Sequence, residues 1–165
     1  MRLAVVPGSF DPVTNGHMEV IGAAAAAFEK VLVAVGTNRG KSPWLSVDQR
    51  IELLREAIRA AGYAPDDVAV THFEGLLADF VEAQGATCVV KGVRGGTDLE
   101  SESLQAELNL GLSGVPTLLV PSSAAQSRVS SSLVRELLTL GAPVTPFLPP
   151  VVAAQLSALP AVPTN

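Results

Sequence analysis

The chain has 165 residues, of which 48% are hydrophobic and 16% charged, and it carries a formal net charge of −5. That length and apolar content imply one domain with a sizeable core and exclude disorder. The acidic balance argues against general nucleic-acid binding, which needs a basic surface.

The single cysteine, Cys88, permits no intramolecular disulfide and no cysteine-rich zinc site, and reads as a small buried residue of a strand. The N-terminus is apolar only up to Pro7-Gly8, too short for a signal peptide. The helical pattern around Ala23–Ala27 is far shorter than the ~20 residues that span a bilayer. The expectation is a cytoplasmic protein without a membrane partner.

In chain order, Leu3–Val6 reads as a strand and His17–Phe28 as a helix. The connection is PGSFDPVTNGH, Pro7 to His17. Gly8 permits a tight turn and close approach of a ligand to the backbone. Ser9 offers a hydroxyl and an N–H, and Asp11-Pro12 and Asn15-Gly16 are turn dipeptides. The helix opening at Gly16-His17 presents N–H groups and a dipole that favour an anion, with His17 aimed at it.

Val31–Val35 is the next strand. The following VGTNRGKSP, Val35 to Pro43, imitates the phosphate loop G-x-x-x-x-G-K-[ST] but fails it twice. Gly36 and Gly40 stand one residue too close, and Pro43 biases Ser42 away from helical dihedrals. Arg39 and Lys41 remain as cations at a strand end.

Ser46–Ala61 reads as a helix with a Ser46/Gln49 capping box and a stop at Gly62. Glu52, Arg55, Glu56 and Arg59 form its solvated face. Trp44 packs the loop ahead of it. Val68–His72 is a strand, with His72 read as structural, and Leu76–Gln84 is a helix ending at Gly85. Thr87–Lys91 is a strand followed by KGVRGGTDLESE, in which the cations Lys91 and Arg94 flank Gly92. Glu102 lies one turn beyond Asp98, on the side that can face the same site.

Leu99–Leu112 is a helix and Thr117–Val120 the fifth strand. After it, Ser130-Ser131-Ser132 open a helix, Ser130–Leu140, stopped by Gly141. The three serines supply hydroxyls and N–H groups for a phosphate, and N-cap duty explains only Ser130. A short last helix runs Val151–Leu159, and Pro160–Asn165 reads as a fraying tail.

Strands alternating with helices imply a single-domain Rossmann-like α/β fold over residues 1–159. It has a five-stranded parallel sheet and helices on both faces. Ligands bind beyond the carboxyl ends of such strands, near the switch in strand order. Four of the strand ends carry anion-binding chemistry, which together describe a polyphosphate site. No G-x-G-x-x-G follows the first strand, so a dehydrogenase is disfavoured. No Ser-His-Asp spacing or metal-ligand cluster is apparent.

Thr14-Asn15-Gly16-His17 resembles the [HT]-x-G-H signature of the nucleotidyltransferase superfamily distantly related to class I aminoacyl-tRNA synthetases. With Lys91-Gly92-Val93-Arg94 and Val129–Arg135, it resembles the bacterial phosphopantetheine adenylyltransferase family, in order from Leu3 to about Leu156. The resemblance implies adenylyl transfer from ATP to 4′-phosphopantetheine with Mg²⁺, in a cytoplasmic homohexamer subject to feedback by coenzyme A. It implies that His17 stabilises the pentacoordinate α-phosphate. ATP would meet Ser9, Phe10, His17, Gly92, Val93, Arg94, Glu102, Gln126, Ser127, Arg128, Val129, Ser130, Ser131 and Ser132. Phosphopantetheine would meet Ser9, Lys41, Leu77, Lys91 and Asn109; the ligands of the metal are not implied.

The family often has threonine at the position of Ser9 and usually arginine at that of Lys91. Lysine keeps the charge and loses the bidentate fork. Gln126 and Arg128 replace bulkier or apolar residues.

Overall fold

The computed structural model describes residues 2–37 and 43–158. The loop cation Lys41 and the expected tail from Pro160 lie outside the described residues. The strands are β1 (Leu3–Gly8), β2 (Lys30–Thr37), β3 (Val68–Glu74), β4 (Cys88–Val93) and β5 (Thr117–Pro121). The helices are α1 (Asn15–Ala27), α2 (Val47–Ala60), α3 (Leu77–Ala83), α4 (Gly96–Ser113), α5 (Ser131–Thr139) and α6 (Pro150–Leu156), with a 3-10 turn at Thr145–Phe147.

All paired strands are parallel, in the order β3-β2-β1-β4-β5. The chain winds outward from β1 to β3, returns to pair β4 with β1, and continues to β5. The switch in direction therefore falls between β1 and β4, where the carboxyl ends of two strands diverge and leave a crevice.

Alternation along each strand divides the core. Ala4, Val6, Val31, Val33, Val35, Cys88 and Val90 face α1, α2, α5 and α6, whose Ile21, Leu54, Val134 and Val152 complete that layer. Val5, Ala34 and Val89 face the other way, toward Val81 of α3. This second layer is thin. The 18-residue α4 buries no side chain, and Leu99, Leu104, Leu108, Leu110 and Leu112 on it are exposed, as is Leu118 of β5.

Local chemistry explains the element ends. Ser46 and Gln49 cap α2 reciprocally, Ser46 Oγ accepting the Gln49 N–H and Gln49 Oε1 the Ser46 N–H. The stops at Gly62, Gly85 and Gly141 have positive φ, which glycine adopts without a Cβ clash.

Several expected boundaries move. Strands β1, β2, β3 and β4 each run two residues past the sequence reading, because parallel pairing continues: Gly8 pairs with Val35, Thr37 with Glu74, and Val93 with Pro121. Helix α1 opens at Asn15 rather than His17, α4 at Gly96 rather than Leu99, and α6 ends at Leu156.

The extension of β4 matters most, because it packs Gly92 against α1. A Cβ there would stand 2.6 Å from Val20 Cγ2. Valine is β-branched and stiff, so the contact cannot relax cheaply. Gly92→Ala is expected to cost about 1–3 kcal/mol by overpacking, read as a lower urea midpoint at unchanged m; an unaltered midpoint would show that α1 gives way freely.

Candidate active site

A cavity of about 450 Å³ lies over the crevice between β1 and β4. On its β2 side are Ser9, Gly36, Pro43 and Arg50; on its β5 side are Arg94, Asp98, Ser122, Gln126, Val129 and Ser130–Ser132. Phe10, His17, Lys91, Gly92, Glu102 and Arg135 also line it. Four cations, Arg50, Lys91, Arg94 and Arg135, face three carboxylates, Asp11, Asp98 and Glu102. The wall is thus net positive in a chain of net charge −5, which concentrates anions locally.

His17 is fixed by its own helix. Thr14 is the N-cap of α1 and His17 is N3. Thr14 Oγ1 accepts from the His17 N–H, and His17 Nδ1 accepts from the Thr14 N–H at 2.9 Å. The pair is a capping box with histidine in the place of the usual Glu or Gln. Because Nδ1 accepts a backbone proton, the neutral ring carries its own proton on Nε2. Part of the ring opens to the cavity, yet dense packing desolvates it. That desolvation, and then the Arg94 charge, lower its pKa from 6.5 to about 4. His17 is therefore a neutral Nε2–H donor at physiological pH.

Phe10 lies edge-on to His17, with ring centroids 4.9 Å apart. Its own backbone is in the left-handed region, φ 49°, and a Cβ on Gly8 would stand 2.9 Å from its ring. Gly8 thus allows the aromatic ring to fold back beneath the site and hold the imidazole from one side.

Two helix N-termini abut the cavity, α1 at Gly16 and α5 at Ser130–Ser132, and each favours negative charge. The three serine hydroxyls have separate duties. Ser130 Oγ accepts the Leu133 N–H as N-cap, Ser131 Oγ donates to the Pro12 carbonyl, and Ser132 Oγ accepts from Arg135 Nη2. The first-turn N–H groups of α5 are what this helix end turns toward an anion.

Two of the cavity cations are held by carboxylates. Arg94 Nε and Nη2 donate to Asp98, which keeps the Asp98 carboxyl below its usual range. Lys91 Nζ lies 2.6 Å from Glu102 Oε2. Gln126 Oε1 is buried and has no hydrogen-bond partner among the described residues.

Of the expected site residues, Ser9, Phe10, His17, Lys91, Gly92, Arg94, Glu102, Gln126, Val129 and Ser130–Ser132 line this one cavity. Ser127 lines an adjoining shallow hollow with Arg94 and Asp98. Four expectations fall outside both. Val93 is a strand residue paired with Pro121, Arg128 is exposed, Leu77 packs with the second core layer, and Asn109 sits midway along α4. The sequence reading missed Asp11, Arg50 and Arg135. For Arg50 a signal existed: it shares a helical stripe with Leu53, Leu54 and Ala57, all buried, where a cation must have a polar partner.

The cytidylyltransferase-like family model matches residues 5–137. A phosphopantetheine adenylyltransferase of Frankia alni is 42% identical over 94% of this chain and 96% of its own length. That of Nocardioides sp. is 44% identical over 96% and 97%, and that of Streptomyces coelicolor 41% over 95% and 96%. Among solved structures, the nicotinic acid mononucleotide adenylyltransferase of Plasmodium falciparum, complexed with NaAD, superposes with a TM-score of 0.68. It is 17% identical, over 95% of each chain. The Francisella tularensis bifunctional NMN adenylyltransferase/ADP ribose pyrophosphatase matches 98% of this chain with half of its own, at a TM-score of 0.72 and 13% identity. These two show a shared fold.

Proposed function

The chain belongs to the cytidylyltransferase-like family, and from that premise we infer that it transfers the adenylyl group of ATP to 4′-phosphopantetheine, giving dephospho-coenzyme A and pyrophosphate. The observation that carries this reading is full-length identity above 40% to three phosphopantetheine adenylyltransferases. A cation-rich cavity at the strand-order switch agrees with it.

The acceptor phosphate is largely dianionic at neutral pH, its second pKa being near 6, so it attacks without a general base. One P–O bond forms at the α-phosphorus as the bond to pyrophosphate breaks, with no covalent enzyme intermediate. Catalysis then consists of holding two polyphosphates in line and neutralising charge as it builds. The neutral His17 Nε2–H is placed to donate to the α-phosphoryl oxygens. Arg94 and the N-terminus of α5 receive the β- and γ-phosphates. Ser9, Lys91 and Lys41 serve the acceptor.

Among the described residues, no cluster of three or more His, Cys, Asp or Glu could hold a metal ion. The cavity carboxylates Asp98 and Glu102 are already paired with cations. In this reading Mg²⁺ enters on the ATP phosphates, as a hard cation that keeps oxygen and water ligands.

The bare leucine face of α4 and Leu118 of β5 supports a homo-oligomer, and the family resemblance suggests a hexamer. A cytoplasmic location and feedback by coenzyme A belong to the same reading. No helix among the described residues is long and apolar enough to cross a membrane.

The test is pyrophosphate release from Mg-ATP with 4′-phosphopantetheine, nicotinamide mononucleotide or no acceptor. Release only with phosphopantetheine is expected. Release with the mononucleotide would keep the fold and overturn the acceptor, and no release despite tight ATP binding would mark a silent nucleotide-binding module.

A further inference from the structure

Arg50 is 3% exposed, yet it lines the cavity. Its Nη1 donates to the Ser9 carbonyl at 2.9 Å and reaches the Gly36 carbonyl at 3.4 Å, while Nε reaches the Ser46 carbonyl at 3.4 Å. Nη2 has no partner among the described residues and is not one of the buried unpaired atoms. Arg50 is part of the cavity wall, so an anion bound there can approach this donor. A guanidinium is always charged and carries five donors in a fixed fork. Here three neutral carbonyls occupy Nε and Nη1, and the nearby Asp11 charge is shared with Arg135. A desolvated cation paired this incompletely is costly, and an oxyanion at Nη2 would offset that cost.

Position decides which anion. In-line transfer needs two phosphate seats on either side of the group that meets the α-phosphate. Arg94 and α5 stand on the β4/β5 side of the crevice; Arg50 stands on the β1/β2 side, beside Ser9 and Gly36. Of the lysines read for the acceptor, Lys41 lies outside the described residues, and Lys91 lies 2.6 Å from Glu102 Oε2 and 3.4 Å from Gln105 Oε1. We propose that Arg50 is a substrate-binding residue whose Nη2 seats the phosphate of the acceptor. The proposal rests on the adenylyl-transfer reading, and it adds a group that joins substrate recognition to the spacing of β1 and β2.

A purely structural Arg50, stapling Ser9 to Gly36, would not distinguish phosphorylated from unphosphorylated ligands. The test therefore measures, by calorimetry, affinity for 4′-phosphopantetheine and for pantetheine in the wild type, Arg50→Lys and Arg50→Gln. Lysine retains the charge and the stem but cannot serve the carbonyls and a phosphate together, so it keeps the test open if the glutamine variant fails to fold. The expected result is a loss of about ten- to a hundredfold for 4′-phosphopantetheine, the scale of one charge-assisted hydrogen bond, with pantetheine affinity and KM for ATP unchanged. Equal losses for both ligands, or none, would overturn the proposal, as would a loss confined to ATP. A wild type that does not distinguish the two ligands would instead sink the acceptor reading. Arg50 would then be judged on tripolyphosphate, unaltered affinity there removing the phosphate contact as well.

Discussion

His17→Ala is expected to lower kcat by about 10²–10³, the usual cost of one donor to developing charge, or ~3–4 kcal/mol, while KM for ATP changes far less. The ring is held before any substrate arrives: Thr14 fixes Nδ1 at 2.9 Å and Phe10 supports its face. The loss should therefore fall on the transition state. A KM effect with near-normal kcat would remove His17 from this role. The pH profile gives a second reading of the same group. Its pKa is lowered from 6.5 to about 4, so the neutral donor is present throughout pH 5–8 and protonates only as the pH falls through about 4. Any decline of kcat between pH 7 and 5 should then follow the acceptor phosphate, with its pKa near 6, and persist in residual His17→Ala activity. A limb near pH 6.5 that the variant abolishes would show a titrating imidazole instead.

The same residue shows why most of the cavity lining is legible in the sequence. Thr14-x-x-His17 is a capping box, a local device whose partners are three residues apart, and local devices are written in spacing. The Ser46/Gln49 box and the glycine stops at Gly62, Gly85 and Gly141 are legible for the same reason. Strand ends were not. Pro7-Gly8 and Gly92-Val93 have the composition of loops. They remain in the sheet because Val35 and Val120 stand opposite Gly8 and Gly92, and pairing across the sheet has no signature in one strand alone. That Leu77 and Asn109 lie outside the cavity has a related reason. Which face of the sheet a helix covers is decided by the crossover, and α3 and α4 lie on the face away from α1, α2, α5 and α6.

Arg50 and Asp11 are the extreme case, since apart from Ser46, four residues from Arg50, their partners lie 14 to 124 residues away. Asp11 is 5% exposed; Oδ2 accepts the Trp44 N–H and Oδ1 the Leu45 N–H, both at 2.9 Å, and Arg135 Nη1 lies 3.7 Å from Oδ2. One carboxylate thus joins the loop after β1, the segment leading into α2, and helix α5, the three pieces that bring Ser9, Arg50 and Ser132 to the cavity. Asp11→Ala leaves two backbone N–H groups unpaired and removes the anion that Arg50 and Arg135 share. Breaking a buried charge cluster from one side typically costs about 3–5 kcal/mol, against a total stability of roughly 5–15 kcal/mol. The variant should melt about 6–20 °C lower, at about 2–4 °C per kcal/mol for a chain of this size. Asp11→Asn keeps an acceptor for one N–H and loses the charge, so its loss should fall between wild type and alanine. A fall of under a degree or two in Asp11→Ala would mean that water replaces the carboxylate freely. The clamp would then be a surface feature, and the placement of Arg50 at the cavity wall would need another cause.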